Sequence, residues 1–261
     1  MLTGDISLPA TVLLPHPDKD TPIVVFVHGS GPNDRDETVG QNKPFLDLAR
    51  LLFERGISSL RYDKRTYCYR RPCASIDEEV IDDAISAIHL AKTFSNRVYL
   101  LGHSLGAMLA PEIAHRSGEL AGVILMATGA RDLGSILREQ IDYLTPSGAS
   151  DSYKQSLYED NVKKAPYLFE PQYQVEKAKG LSLPLLFLQG ERDYQVKPSE
   201  LQLWQEALSG KTNAAFRLYP KLNHLFFEGE GPSSPMEYSA EHHIPVYVAD
   251  DITSFINHHD Q

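Results

Sequence analysis

Short apolar runs alternate with longer helical patterns along most of this 261-residue chain. The clearest run is Ile-Val-Val-Phe-Val at 23–27, and a run without polar positions is typical of a strand buried on both faces of a parallel sheet. Similar runs predict strands at 57–62, 97–101, 122–127, 183–188 and 214–219. Apolar residues at helical spacing predict helices at 44–55, 77–94, 104–115, 198–208 and 246–257. This alternation indicates βαβ units, and therefore an α/β protein with a mainly parallel twisted sheet and helices on both faces.

The alternation stops between residues 131 and 182, where the pattern is helical and predicts no strand. Tyrosines are frequent in this segment: Tyr143, Tyr153, Tyr158, Tyr167 and Tyr173. A helical insertion between two strands of a parallel sheet is expected to lie over the strand ends, where the ligands of such sheets bind. We therefore predict a core formed by residues 1–130 and 183–261, with a helical cap, or lid, at 131–182.

The charge balance restricts the partners of the protein. The formal net charge is −10 at pH 7. Nucleic acid and anionic membrane surfaces both require clustered basic residues, so neither is expected as a partner. No apolar run approaches the roughly 18 residues of a transmembrane helix, so membrane insertion is not expected. The first residues show no signal-peptide pattern, which favours a cytoplasmic location. The oligomeric state, monomer or homodimer, is left open.

The two cysteines, Cys68 and Cys73, lie in one predicted loop. They could form a local disulfide in an exported protein, or they could stay free thiols in a reducing cytosol. Neither the CxxC nor the His-x-x-x-His spacing occurs, so no metal site is expected. The densest basic cluster, at 64–65 and 70–71, is interpreted as part of a solvated loop.

The first chemical motif is Gly102-His103-Ser104-Leu105-Gly106. It is a G-x-S-x-G pattern placed directly after a predicted strand and at the start of a predicted helix, the context of a nucleophilic serine. Gly102 and Gly106 lack side chains that would collide with the neighbouring strand and helix, so the Ser104 hydroxyl can rise clear of the sheet edge. The N–H group of Leu105, free at the helix N-terminus, is a candidate oxyanion donor. An ordinary turn in which the serine caps the helix is the alternative.

The second motif is the glycine-rich turn HGSGP at 28–32, which follows the first buried strand. Its glycines let the backbone approach a ligand closely. The N–H group of Ser30 is the candidate for the second oxyanion donor. Gly29 and Gly31, with His103 of the first motif, are expected to contact substrate. A turn required only for packing is the alternative.

Two further candidates follow later strands. Asp193 comes just after a predicted strand and can orient an imidazole and stabilise its charged form. Glu191 and Asp132 are rival carboxylates, since each also follows a strand. The chain holds 10 histidines, but His224 lies after the last predicted strand, where a base can reach Ser104. The chain order Ser, Asp, His matches the order expected of an α/β-hydrolase fold.

Longer blocks make this match more specific. In chain order they are HGSGPNDRDE at 28–37, RYDKR at 61–65, GHSLG at 102–106, GERDYQV at 190–196 and LNHLF at 222–226. Together they resemble the blocks of bacterial α/β-hydrolase esterases near the dienelactone-hydrolase-like branch, and the resemblance spans nearly the whole chain. It implies a carboxylesterase that acts on short-chain acyl esters and requires no cofactor. It also implies that Ser104, Asp193 and His224 form the catalytic triad.

Residues 33–37, Asn-Asp-Arg-Asp-Glu, flank the predicted oxyanion turn. With Arg61, Asp63 and Arg65 after the next strand, they are expected to form an ion-pair network that fixes the loop. The alternative is that Arg35 meets an acidic substrate.

Other functions on this fold stay open at this point. Peptide hydrolysis, thioester hydrolysis and acyl transfer to an alcohol use the same groups. Peptidases of this fold usually carry extra domains, and an acidic chain is a poor match for the phosphates of coenzyme A. A catalytically silent protein that binds a small ligand is an alternative of another class. The sequence therefore predicts a serine carboxylesterase whose partner is a small-molecule ester.

Overall fold

Residues 1–258, the part of the chain that the computed structural model describes, contain a central sheet of seven strands and an N-terminal hairpin. The hairpin pairs β1 (Leu2–Thr3) with β2 (Ile6–Ser7). The strands of the sheet are, in chain order, β3 (Ala10–Leu13), β4 (Ile23–Val27), β5 (Ser58–Tyr62), β6 (Val98–His103), β7 (Gly122–Met126), β8 (Leu185–Gly190) and β9 (Ala214–Tyr219). Their spatial order is β3-β5-β4-β6-β7-β8-β9. All neighbours are parallel except β3 and β5, which confirms the mainly parallel sheet.

Helices connect these strands. They are α1 (Pro44–Phe53), α2 (Arg65–Tyr69), α3 (Asp82–Ala91), α4 (Leu105–Ser117), α5 (Leu133–Leu144), α6 (Asp151–Lys164), α7 (Gln174–Gly180), α8 (Pro198–Ala207) and α9 (Val246–His258). A π-helical turn at Asp77–Ile81 leads into α3, and 3₁₀ turns lie at Pro166–Phe169 and Pro235–Ser239. None of the helices within residues 1–258 has the length and apolar character needed to cross a bilayer.

Strand β4 shows why helices cover both faces of the sheet. All of its residues are buried, and successive side chains of a strand point to opposite faces. Val24 and Phe26 belong to an apolar cluster that includes residues of α1 and α9. Val25 and Val27 belong to a second cluster, with residues of α3 and α4. The continuous apolar run that predicted this strand therefore reflects burial on both sides, and the predicted fold class is confirmed.

The observed elements differ from the predicted ones at the sheet edge. The β1–β2 hairpin was not predicted, and neither was β3, which pairs antiparallel with β5. The residues of β3 are only partly buried. An edge strand with one covered side lacks the continuous apolar run that identified the inner strands, so its pattern gave a weak signal.

A second difference concerns two loops. The loop predicted to contain both cysteines begins with α2, at Arg65–Tyr69, which includes Cys68. Strand β6 continues to His103, and α4 begins at Leu105, so Ser104 lies between strand and helix rather than inside the helix. Both cysteines are free thiols, so the local disulfide is not formed in this structure.

The segment 131–182 is helical, as its pattern indicated. Helix α5 buries Ile136 and Ile141, whereas α6 buries no residue. Helix α7 packs on α4 and buries Ala178 in the main core. The segment is therefore attached to the core more firmly at its end than at its middle, and its function as a cap stays a prediction.

Candidate active site

Ser104 occupies a strained turn between β6 and α4. Its backbone angles are φ 52° and ψ −116°, a conformation that L-residues rarely adopt and that marks functional positions. The two flanking glycines make the turn possible. A Cβ atom on Gly102 would overlap the backbone of Gly106, and one on Gly106 would overlap the carbonyl of Val27. The close approach predicted from the motif is thus a property of the backbone on both sides of Ser104.

Asp193 and His224 form a buried pair after β8 and β9. The Nδ1–H of His224 donates to Oδ2 of Asp193 at 2.7 Å. Oδ1 of Asp193 accepts the N–H groups of Gln195 and Val196 at 2.8 and 2.9 Å. Because these bonds fix the carboxylate, Asp193 holds the imidazole in the tautomer whose Nε2 can accept a proton.

The two rival carboxylates, Asp132 and Glu191, lie in other environments than Asp193. Asp132 caps helix α5, where its Oδ1 accepts the N–H of Ser135 at 2.9 Å, a standard N-cap bond. Glu191 is exposed to solvent. Neither carboxylate contacts His224. The structure therefore pairs His224 with Asp193, the carboxylate that the sequence favoured.

His224 lies beside the nucleophile turn. The carbonyl oxygen of His224 accepts Nε2–H of His103 at 2.9 Å, and the two rings are 4.8 Å apart. His103 is the neighbour of Ser104 in the chain, so this bond places the loop of His224 beside the turn of Ser104. Within residues 1–258 the Ser104 hydroxyl has no hydrogen-bond partner. Hydrogen bonds between catalytic groups are commonly long or poorly aligned until substrate is bound.

The predicted oxyanion donors are the backbone N–H groups of Ser30 and Leu105. Ser30 and Leu105 both line the cavity in front of the nucleophile. Leu105 is the first residue of α4, so its N–H has no acceptor within the helix. Neither N–H group donates to another described residue, and their role as oxyanion donors stays a prediction.

The cavity has a volume of about 850 Å³, within the range of roughly 300–1,000 Å³ usual for small-molecule sites. Its walls come from the turn at 30–32, from α2, from the start of α4 and from the segment 131–182. Apolar side chains form much of it: Met108, Leu133, Ile136, Leu137, Leu168, Phe169 and Val196.

Gly31 lines this cavity, but the other two expected substrate contacts do not. Gly29 donates its N–H to Oε1 of Glu37 at 2.7 Å. His103 donates to the carbonyl of His224, and its Nδ1 lies 3.0 Å from Oε2 of Glu37. The polar groups of Gly29 and His103 bind Glu37 and His224, and the expected contact of these two residues with substrate stays a prediction.

Glu37 and His103 form a buried pair in which the pKa of each group is shifted. Burial lowers the pKa of His103, but the Glu37 carboxylate outweighs this effect and raises the pKa above its usual value. Burial likewise raises the pKa of Glu37, and the charge of His103 outweighs it, so that the carboxyl pKa is lowered. Each group stabilises the ionised form of the other.

The residues around 33–37 form part of the expected network, but Arg65 lies outside it and pairs with Asp83. The guanidinium of Arg35 binds both carboxylate oxygens of Asp63, at 2.9 and 3.0 Å, and Arg61 pairs with Asp36. Because Asp63 occupies the guanidinium, Arg35 does not face the cavity as the alternative required.

The interpretation of the basic cluster as a solvated loop is wrong for residues 64–65, whereas Arg70 and Arg71 are exposed. Lys64 and Arg65 are buried, and each pairs with a buried carboxylate, Glu79 and Asp83 respectively. The sequence around Lys64 and Arg65 gave no sign of this burial, because Glu79 lies in the π-helical turn and Asp83 in α3.

Residues 24–241 match the model of the alpha/beta hydrolase family, and the chain belongs to that family. Among curated proteins, Esterase EstD of Thermotoga maritima is 38% identical over 269 residues, which cover 95% of this chain and 65% of that protein. The chain thus spans slightly less than two thirds of the length of this relative.

Solved structures of the same fold also resemble the chain. The esterase Pf2001 of Pyrococcus furiosus has a TM-score of 0.67 at 16% identity, over 99% of this chain and 89% of the other. Est1E of Butyrivibrio proteoclasticus has a TM-score of 0.65 at 16% identity, over 98% and 96%. At this identity the likeness concerns the fold alone, and it agrees with the α/β-hydrolase fold expected from the motifs.

Proposed function

We propose that this protein is a serine carboxylesterase that hydrolyses short-chain or small carboxylic esters, with Ser104, Asp193 and His224 as its catalytic triad. The observation that carries the proposal is the 2.7 Å bond from His224 to Asp193, held beside a serine on a strained turn. The free N–H groups of Ser30 and Leu105 complete the set of groups that acyl transfer requires.

The proposed reaction passes through an acyl-enzyme. Nε2 of His224 takes the proton of the Ser104 hydroxyl while Oγ attacks the ester carbonyl. The N–H groups of Ser30 and Leu105 bind the oxyanion, and Asp193 stabilises the imidazolium. His224 then protonates the leaving alcohol. Water, activated by the same imidazole, attacks the acyl-enzyme and releases the acid.

The cavity supports a small ester as the partner. Its volume of about 850 Å³ and its apolar wall fit a short acyl chain or a compact aromatic group better than a folded macromolecule. We propose that the segment 131–182 acts as the cap that sets this size, because α5, the end of α6 and the turn at 166–169 supply part of the wall. The relative named Esterase EstD supports ester hydrolysis over the peptidase, thioesterase, acyltransferase and silent-binder alternatives.

The experiment is hydrolysis of p-nitrophenyl esters of increasing acyl length by the wild type and by Ser104→Ala. We expect turnover that is highest on short chains, and a loss of about 10⁴–10⁶ in kcat for the variant. Ser209→Ala is the matched control, since Ser209 is exposed and does not line the cavity. A loss of less than about tenfold in Ser104→Ala would reject the nucleophile. A folded wild type without turnover on any ester, but active on a thioester or peptide, would favour those alternatives.

The location of the protein belongs to the same proposal. We propose that it acts in a reducing compartment such as the cytoplasm, because Cys68 and Cys73 are both free thiols. Titration of the thiols in freshly isolated, unfolded protein should find both reactive, whereas a bridged pair would contradict this location.

A further inference from the structure

Lys64 is a buried lysine behind the oxyanion turn. Only 2% of its surface is exposed. Its ammonium donates to the carbonyl oxygens of Gly29 and Gly31, both at 3.0 Å, and to Oε1 of Glu79 at 2.6 Å. A lysine ammonium has three N–H donors, so these contacts use all of them. None of the three N–H groups is left to donate to solvent.

The contact with Gly29 bears directly on the oxyanion donor. The carbonyl of Gly29 and the N–H of Ser30 belong to one peptide group. In a planar trans peptide these two bonds point in opposite directions, and the described part of the chain has only trans peptides. An ammonium that holds the carbonyl on the inner side therefore turns the Ser30 N–H outward, towards the cavity that Ser30 lines.

The same contact changes the strength of the donor. A hydrogen bond from an ionised donor is stronger than a neutral one, and hydrogen bonds in series polarise one another in a low-dielectric interior. Lys64 draws electron density towards the oxygen of Gly29, so the N–H of Ser30 becomes more positive. Nδ2 of Asn33 also donates to this oxygen, at 3.3 Å, but it is neutral and more distant.

Glu79 connects this arrangement to the segment 131–182. Its second oxygen, Oε2, accepts the O–H of Tyr167 at 2.6 Å, and Tyr167 lines the cavity from the turn at 166–169. Burial, and then the Glu79 carboxylate, raise the pKa of the Tyr167 phenol, so it stays protonated and donates. The carboxylate balances the charge of Lys64 and holds its ammonium under the oxyanion turn.

We propose that Lys64 is a positioning residue for ester hydrolysis: it orients and polarises the Gly29–Ser30 peptide so that the Ser30 N–H stabilises the oxyanion. Glu79 holds Lys64 in place, and Tyr167 links this support to the wall of the cavity. The inference rests on the proposed function, because it requires an oxyanion to form in front of Ser104.

The test compares Lys64→Met with the double variant Lys64→Met/Glu79→Gln, which removes both buried charges together and keeps the interior neutral. For each we would measure kcat and KM on p-nitrophenyl acetate, the fraction of active sites by titration, and thermal unfolding. A phosphonate ester that phosphonylates Ser104 provides a second readout, since its phosphoryl oxygen must enter the oxyanion hole.

We expect kcat per active site to fall by about 10-fold to 100-fold, less than the roughly 10²–10³ lost with a whole donor. KM should change by less than about threefold, because the interaction acts in the transition state. The phosphonylation rate should fall in parallel, and Lys64→Arg, which keeps the charge, should restore part of the rate.

Lys211→Met is the matched control. The Lys211 ammonium also donates to two carbonyl oxygens, those of Lys179 and Leu181, at 2.8 and 2.6 Å, but it lies away from the cavity. This variant should lose stability and keep kcat per active site. A folded Lys64 single or double variant with kcat per active site within about twofold of the wild type would overturn the inference, while inactive Ser104→Ala would leave the proposed function intact. Loss of the Ser104 dependence itself would instead defeat the proposed function.

Discussion

Glu37 and His103 form a buried ion pair that joins two loops of the proposed active site. The carboxylate binds the N–H of Gly29 in the oxyanion turn, and the imidazole binds the carbonyl of His224 in the loop of the base. Glu37 has a positive φ of 54°, a conformation that costs a residue other than glycine free energy. The pair therefore fixes the distance between the oxyanion donor and the base through two side chains that do not touch the cavity.

This pair predicts a pH-dependent contribution to stability. The pKa of His103 is raised above 6.5, so its contribution is present below that value and is lost as the pH rises through the folded pKa. The pKa of Glu37 is lowered below 4.5, so its contribution is present above that value and is lost as the pH falls through the folded pKa. The two contributions coincide between pH 4.5 and 6.5.

We expect Glu37→Gln to lower the free energy of unfolding by about 3 kcal/mol near pH 6, because one charge stays buried without its partner. The difference from the wild type should shrink as the pH rises through the folded pKa of His103. Denaturant unfolding at a series of pH values measures it, with the exposed Glu206→Gln as control. A difference that does not vary with pH would argue against a charged pair.

Asp193→Asn tests the acid of the proposed triad. The amide would still fit the site, but it would favour the tautomer of His224 that cannot accept the serine proton, so kcat should fall by about 10⁴. Turnover of p-nitrophenyl acetate measures the loss. Glu191→Gln and Asp132→Asn should keep most of the activity, since neither carboxylate contacts His224. An equal loss in either of them would reassign the acid.

His28 predicts a loss of stability in acid. Its ring is buried between Phe45 and Tyr62, with centroids 5.2 and 5.3 Å away, and its Nε2 has no partner among the described residues. Burial lowers the pKa of His28 to about 4. The unfolded chain therefore binds more protons between about pH 6.5 and 4, and stability falls by roughly 3 kcal/mol as the pH drops through that interval.

His28→Phe should flatten this part of the curve of unfolding free energy against pH, because the ring stays and the titrating group goes. His243→Gln serves as control, since the His243 side chain is 71% exposed. If the acid slope of His28→Phe matched that of the wild type, another group would carry it.

Gly102→Ala tests the nucleophile turn. The new methyl group would overlap the backbone of Gly106, and such overpacking costs about 1–3 kcal/mol or more. We expect a lower melting temperature and a lower kcat, because the displaced turn carries Ser104. Gly210→Ala is the matched control, since a Cβ at Gly210 meets no atom within 4 Å. A Gly102→Ala variant with normal kcat would show that the turn tolerates the shift.

The groups of the proposed triad could be predicted from sequence because each has a local signal. Ser104 lies in a motif of five residues, and Asp193 and His224 each follow a strand. The topology then brings these residues together, since the carboxyl ends of parallel strands lie at one edge of the sheet. The inner strands were predictable for a similar reason, as burial on both faces leaves a continuous apolar run.

The buried polar contacts of Lys64 and His103, behind the proposed site, could not be predicted in the same way. In its local sequence Lys64 looks like any exposed basic residue. Its burial depends on Glu79 and on the carbonyl oxygens of a turn more than thirty residues away. The side chain of His103, at the end of β6, binds the carbonyl of His224 and lies beside Glu37, and its neighbours in the sequence gave no sign of these contacts. Such pairings join distant elements, and a single sequence shows no period or spacing for them.

Helix α6 contributes Asn161 and Lys164 to the cavity but buries none of its residues. Asn161 and Lys164 are exposed, and substitutions at such surface positions usually change stability by no more than about 0.5 kcal/mol. The part of the cavity wall that α6 supplies can therefore vary among related sequences with little effect on folding. The proposed cap and the proposed catalytic groups can in this way change independently, because α6 buries no residue in the core that carries Ser104, Asp193 and His224.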